Sequence, residues 1–280
     1  MKKSIFLPVV VIGLLILSMT VAGTILIAST EEKRKAPVAD ENVRTPVIVE
    51  LFTSEGCSSC PPADAVLAGL EKTQPVKGAE VIALSQHVDY WNRLGWADPF
   101  SSPTFSARQG EYARAFGKDG VYTPQMIIDG QTEFPGGNRS IANDAIAKAA
   151  QTPKAVVRLT MLAPGQEERP GQMRLKVNVR CLPGVSEGDA AKVMLAITES
   201  DLSINVPRGE NAGRRLSHVG VVRSLRVIGN IDRQNNGTFA ADTVVELGKG
   251  MRRESSRAVV FVQERASRRV LGAAAIRLAK

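Results

Sequence analysis

Two of the chain's three cysteines stand with two residues between them, in the stretch Leu51-Phe52-Thr53-Ser54-Glu55-Gly56-Cys57-Ser58-Ser59-Cys60-Pro61-Pro62-Ala63-Asp64. Thiols at that spacing can exchange with other thiols as a reversible dithiol, supply half of a metal site, or close a structural disulfide. A purely structural role is disfavoured, because so short a loop restricts the unfolded chain little. Zinc needs four ligands, usually from a second close pair, and the sequence offers only Cys181, His87 and His218, widely dispersed. Copper(I) accepts fewer and softer ligands, so Cys57, Cys60 and His87 stay open as a copper-carrying set.

Position narrows the choice. The β-branched apolar run Val47–Phe52 fits a buried strand, and Val66, Leu67 and Leu70 follow at helical spacing. A thiolate on Cys57 would face the free N–H groups and positive end of that helix, which favour its charged form and make it the better nucleophile. Cys60, one turn inward, could then resolve a mixed disulfide formed on Cys57. Pro61 and Pro62 are tolerated in a first helical turn, which predicts a helix start at Cys60 or Pro61.

A second apolar run, Glu80–Ser85, ends just before His87 and Asp89. Open α/β sheets bind ligands at the carboxyl edge of their strands, so both residues are expected to face the crevice of Cys57. There His87 could take the Cys57 proton, with Asp89 fixing its tautomer. The alternative is a strand cap packed under Trp91 and Trp96. Tyr90, Trp91, Trp96 and Phe100 read as a packed aromatic lid, with Trp91 the candidate substrate contact.

The elements around these residues alternate. A helix is predicted over 102–117, a third strand over Met126–Asp129 ending at Gly130, and a further helix over Ile141–Ala150. Apolar strands alternating with helices argue a mainly parallel sheet covered on both faces. From Lys154 the period falls to two, in seven segments separated by Gly, Pro, Asp or Asn, which predicts a β-sandwich. The reading is thus α/β, with an α/β domain at 46–152 followed by an all-β sandwich-like domain at 153–280 that binds or dimerises without chemistry of its own. Cys181 alternates in phase with Leu175, Val177 and Val179, which predicts a buried thiol acting as a small hydrophobe. The polar run Glu210–His218 is expected to contact the other half of the chain.

The N-terminus addresses the chain to a membrane. After Lys2 and Lys3, residues 5–28 carry no charge, so residues 1–29 read as a signal peptide or an uncleaved signal anchor, and 30–45 as a charged linker. The lysines keep that end inside, so the remainder is expected outside the cytoplasm, where thiols oxidise. Net charge is +8, and residues 154–280 hold 22 Lys and Arg against 12 Asp and Glu. Those arginines are scattered along strand patterns without interleaved aromatics, which argues against a nucleic-acid partner.

Downstream, Gly120-Val121-Tyr122-Thr123-Pro124-Gln125-Met126-Ile127-Ile128-Asp129-Gly130 puts a proline just before a strand. With the strand, Cys pair and helix before it, this order resembles the thioredoxin superfamily. The resemblance implies that the Thr123–Pro124 bond is cis and faces the Cys pair, and that the backbone beside it pairs with an extended substrate peptide. Gly56 stands where that superfamily often has tryptophan, and the segment 87–105 lengthens the span before Pro124. Together with HVDYWNRLGWADPF and ENAGRRLSHVGVVR, the motifs look closer still to an uncharacterised family of secreted bacterial thioredoxin-like proteins, over roughly residues 45–275. The activity so implied is an exported thiol–disulfide oxidoreductase acting on protein thiols or disulfides, with Cys57, Cys60, His87 and Pro124 catalytic and Thr123, Pro124 and Trp91 touching substrate. It calls for no metal and no cofactor. A copper(I) carrier and a non-catalytic binding module remain the alternatives.

Overall fold

The computed structural model describes residues 44–163, 171–231 and 237–279. The segment expected as signal or anchor, and the linker up to residue 43, lie outside the described residues. Among the described residues, no helix is long and apolar enough to cross a membrane.

The described residues form one compact unit. Its first half runs β1 (Thr45–Thr53), α1 (Pro61–Thr73), β2 (Ala79–His87), α2 (Pro103–Ala115), β3 (Gln125–Ile128), β4 (Thr132–Pro135) and α3 (Arg139–Ala150). The second half is all strand: β5 (Val156–Met161), β6 (Gln172–Arg180), β7 (Ala191–Glu199), β8 (Leu202–Asn205), β9 (Arg215–His218), β10 (Val221–Ile231), β11 (Phe239–Glu246), β12 (Ser256–Glu264) and β13 (Val270–Arg277). All seven period-two segments of the sequence are strands. The hairpin β8–β9 has too little alternation to be seen that way.

One sheet of eight strands, in the order β13-β12-β7-β10-β2-β1-β3-β4, runs through both halves. A single bridge joins them, Val221 of β10 to Ser85 of β2 in parallel, reinforced by Ser85 N–H donating 2.8 Å to the Gly220 carbonyl. The sheet is mixed rather than mainly parallel, since β3 and β4 and the outer strands of the second half pair antiparallel. The boundary drawn at 152–153 therefore separates two styles of secondary structure within one sheet. Sequence period reports how many faces of a strand are buried, not which sheet the strand joins.

Alternation along β1 assigns its faces, because successive side chains point to opposite sides. Val47, Val49 and Leu51 pack with Leu67 and Leu70 of α1 and Ile146 of α3. Ile48 joins Ile82, Leu84, Phe105 of α2, Val222, Val259 and Phe261 in a core shared by both halves. A second sheet, β11-β6-β5, lays Leu175, Val177 and Val179 on Val193 and Leu195 of β7 and on Val260 and Val262 of β12, which is the sandwich-like part. Each fully buried Leu or Val contributes about 1.5–3 kcal/mol over leaving it exposed.

Glu50 lies on the α2 face of β1 and is fully buried. Arg108 of α2 reaches it with Nε at 2.7 Å and Nη2 at 2.9 Å, and Tyr112 and Gln86 add hydrogen bonds. Burial works against the Glu50 charge, but Arg108 and these donors outweigh it and hold its pKa below the usual carboxylate value.

Cys181 corrects the expectation from its phase. β6 ends at Arg180, and Cys181 turns to a left-handed φ of 53°, which takes it off the pleat and leaves it exposed.

Candidate functional site

The Cys57–Ser59 loop leaves β1 and enters α1 with Cys60 as its N-terminal cap residue. Cys57 and Cys60 form a disulfide, and neither residue has any exposed surface. The backbone turns tightly between them, Cys57 N–H donating 3.2 Å to the Ser54 carbonyl and Cys60 N–H 3.2 Å to the Cys57 carbonyl. Pro61 and Pro62 occupy the first helical turn, where a missing N–H removes no helical bond.

The Thr123–Pro124 peptide is cis, and the Thr123 carbonyl oxygen lies 3.9 Å from Cys57 Sγ. Ser59 Oγ is 3.3 Å from the same sulfur. Trp91 Nε1 donates to Thr123 Oγ1 at 2.8 Å, and a Cβ on Gly56 would stand 3.2 Å from Trp91 Cβ. Glycine at position 56 thus gives Trp91 room to lie against the cysteine loop. Cys57, Cys60, Trp91, Thr123 and Pro124 are brought together as the sequence suggested.

His87 ends β2 beside Thr53 of β1 and is fully buried. Its Nδ1 lies 2.7 Å from Asp98 Oδ2, whose other partner is the Glu55 N–H at 2.9 Å. Asp98, not Asp89, therefore fixes the ring. Asp89 instead accepts from Ser106 Oγ at 2.5 Å, because the chain makes a short 3-10 turn at Asn92–Leu94, then a left-handed Gly95, and returns Asp98 to the site. No hydrogen bond joins His87 to either cysteine among the described residues; its partners are Asp98, Phe100 and His218.

The second half supplies the other histidine. His218 Nε2 lies 3.2 Å from Glu55 Oε1, and its ring meets His87 edge to face with centroids 4.8 Å apart. Trp96 Nε1 donates to the second Glu55 oxygen at 2.8 Å. Phe100 packs edge-on against both imidazoles. Asp64, in the first turn of α1, is buried nearby. His87 Nε2, His218 Nδ1 and Asp64 Oδ1 make no hydrogen bond among the described residues.

The electrostatics of this cluster follow from burial and mutual charge. Burial disfavours a charged His87, but Asp98 above all, with Asp64 and Glu55, outweighs it and raises the pKa. Burial likewise opposes an Asp98 anion, and His87 with the Glu55 and Phe100 amides holds its pKa low. For Asp64 burial wins over the two histidines and the pKa is raised. Among the described residues no three His, Cys, Asp or Glu side chains are grouped to hold a metal ion.

Like Asp98, Asn211 and Glu210 have a part in the site that the sequence did not reveal. Asn211, fully buried, donates Nδ2 to the Glu55 carbonyl at 2.8 Å and to the Cys57 carbonyl at 2.9 Å. Glu210 Oε2 accepts from Ser58 N–H at 2.9 Å and from Ser58 Oγ at 2.6 Å. A polar run with glycines marks a loop, but it does not show what the loop touches.

Comparison with known proteins finds likeness in two solved structures. Protein AGR_C_4864 from Agrobacterium tumefaciens is 27% identical with a TM-score of 0.62, over 85% of this chain and 96% of that one. HBP35 of Porphyromonas gingivalis is 15% identical with a TM-score of 0.63, over 84% of this chain and 75% of that one, a likeness of fold alone. No curated protein matches the sequence. The family described as "Protein of unknown function (DUF1223)" matches residues 48–263, and with most of the chain covered in this way, the chain belongs to that family.

Proposed function

We propose that this chain is an exported thiol–disulfide oxidoreductase of the thioredoxin superfamily, acting on protein thiols through Cys57 and Cys60. The observation that carries the reading is the Cys57–Cys60 disulfide at a strand-to-helix turn, with the carbonyl before a cis proline 3.9 Å from Cys57 Sγ. In the oxidised protein a substrate thiolate attacks Cys57 Sγ, forms a mixed disulfide, and releases Cys60 as the leaving thiolate. A second substrate thiolate then attacks the substrate sulfur of that bond, so the substrate leaves as a disulfide and the pair as a dithiol. Run backwards, the same steps reduce a substrate disulfide. The segment at residues 5–28 supports an extracytoplasmic location, where such exchange has partners.

Trapping tests this. Cys60→Ser removes the resolving thiol, so mixed disulfides should accumulate on Cys57 in cells and disappear in the Cys57→Ser, Cys60→Ser double variant. An absence of trapped protein, together with a pair that stays oxidised across the whole range of redox buffers, would remove the assignment.

A further inference from the structure

The hairpin β8–β9 belongs to neither large sheet, and the loop at its tip, residues 206–214, lies on the cysteine loop. That loop is closed by its own backbone. Val206 N–H donates 2.9 Å to the Arg214 carbonyl, and Gly213 N–H donates 2.8 Å to the Val206 carbonyl. Gly209 and Gly213 sit at φ of 81° and 79°, where a side chain would strain the turn. Arg214 Nη1 holds Asn211 Oδ1 at 2.8 Å, which turns the amide nitrogen toward Glu55 and Cys57. The base of the hairpin is pinned separately, by His218 on Glu55.

Glu210 and Asn211, adjacent in sequence, thus bind the Glu55–Ser58 stretch on both sides of Gly56. The consequence is steric. An attacking sulfur must come within bonding approach of Cys57 Sγ, yet Cys57 and Cys60 have no exposed surface. Either the groups packed around the sulfur move or no substrate arrives, and residues 206–214 are the segment of the second half that grips this loop from Glu55 to Ser58.

Resting on the oxidoreductase reading, we infer that residues 206–214 form a lid over the cysteine pair, that Asn211 and Glu210 are its latch, and that its opening sets which thiols reach Cys57. The hairpin stands outside the main sheets and its tip grips the cysteine loop through a handful of hydrogen bonds, with Val206 and Asn211 buried in the closed state, so opening breaks those bonds and exposes one apolar side chain while the main sheets stay intact. A thiol on a slender, extended segment enters through a small opening. A thiol on a rigid folded surface waits for full opening. The substrate class is therefore cysteines in unfolded or extended chain.

The test uses the full-length protein with Cys60→Ser and Cys181→Ser, which leaves Cys57 as the single thiol. Its alkylation is followed with N-ethylmaleimide and with the same maleimide carried on a long polyethylene glycol chain. The lid predicts that the bulky reagent is slowed far more at Cys57 than at Cys181 in a protein retaining only that thiol. Asn211→Ala, or the isosteric Glu210→Gln on an exposed side chain, should speed the bulky reagent by about fivefold or more, in line with ordinary coupling energies, and the small reagent less. Equal slowing of both reagents at Cys57, or rates that neither variant changes, would overturn the lid. Alkylation needs no redox partner, so this outcome is read separately from the trapping experiment: trapped proteins with no size selection sink the lid alone.

Discussion

His218 places Nε2 3.2 Å from Oε1 of Glu55, a residue 163 positions earlier, and both side chains are buried. The contact ties the last residue of β9 to the segment between β1 and the cysteines, and it draws His218 onto His87. The histidine–carboxylate cluster is thus built by both halves of the chain.

Its pH dependence follows from the His87–Asp98 pair. His87 has a folded pKa above its ordinary 6.5, so its contribution to stability is fully present below 6.5 and is lost as pH rises through the folded value. Asp98 is depressed below 3.8, so its contribution is present above 3.8 and lost as pH falls through the folded value. The pair stabilises most between those limits. Urea midpoints measured against pH should show that window in the native protein and lose it in both His87→Gln and Asp98→Asn. A window that persists in both variants would assign it to other groups.

Cys57 should be the nucleophile of the reduced pair. It precedes the amides at the start of α1, which favour a thiolate, so its alkylation should rise with pH through a midpoint below about 8.5, the value of a free cysteine. Cys60, within the first turn, should react slowly across the same range. Rate profiles of Cys57→Ser and Cys60→Ser, each combined with Cys181→Ser because that thiol is exposed, separate the two thiols, and identical midpoints near 8.5 would cancel the assignment.

The buried Glu50–Arg108 pair should be costly to break from one side. Arg108→Met leaves a carboxylate with 0% exposure beside only Tyr112 and Gln86, and the expected loss is about 3–5 kcal/mol in denaturant unfolding. The double variant Glu50→Gln, Arg108→Met should recover part of it. A double variant that loses the full sum would mean that the two side chains act independently.

Gly130 should tolerate no side chain. Its φ is +70°, and a Cβ would fall 1.9 Å from the Arg268 carbonyl oxygen, so Gly130→Ala should destabilise by at least about 2 kcal/mol. Gly117→Ala is the control: φ is +63° with nothing within 4 Å, so only the left-handed cost of about 1–2 kcal/mol applies. Calorimetry that ranks the two the other way would contradict the packing argument.

Much of this architecture was legible in the residues. Period-two runs gave the strands of the second half, and Pro61 and Pro62 gave the start of α1, while its last turn to Thr73 lay beyond the apolar spacing that ends at Leu70. The join between the halves was not legible, because Glu80–Ser85 is apolar on both faces whether its free edge meets a helix layer, a loop or β10. Asp98 was missed for a related reason. Asp89 is nearer in sequence, and only the turn through Gly95 decides which carboxylate faces His87. Cys181 misled because its phase was sound up to Arg180 and the strand stops there. Asn211 has the composition of any loop asparagine, and its grip on Glu55 and Cys57 depends on where the hairpin lands.

The position of β2 in the large sheet also bears on how the chain is made. β2 is flanked by β1, close behind it in sequence, and by β10, which comes far later. A polypeptide emerging N-terminus first therefore passes through a long interval with one side of β2 unpaired, and such an open edge invites pairing with other chains. The interval closes when Gly220 and Val221 reach Ser85. A holding chaperone would be needed most during that interval, and a chain cut off before residue 221 would keep its aggregation-prone edge for good.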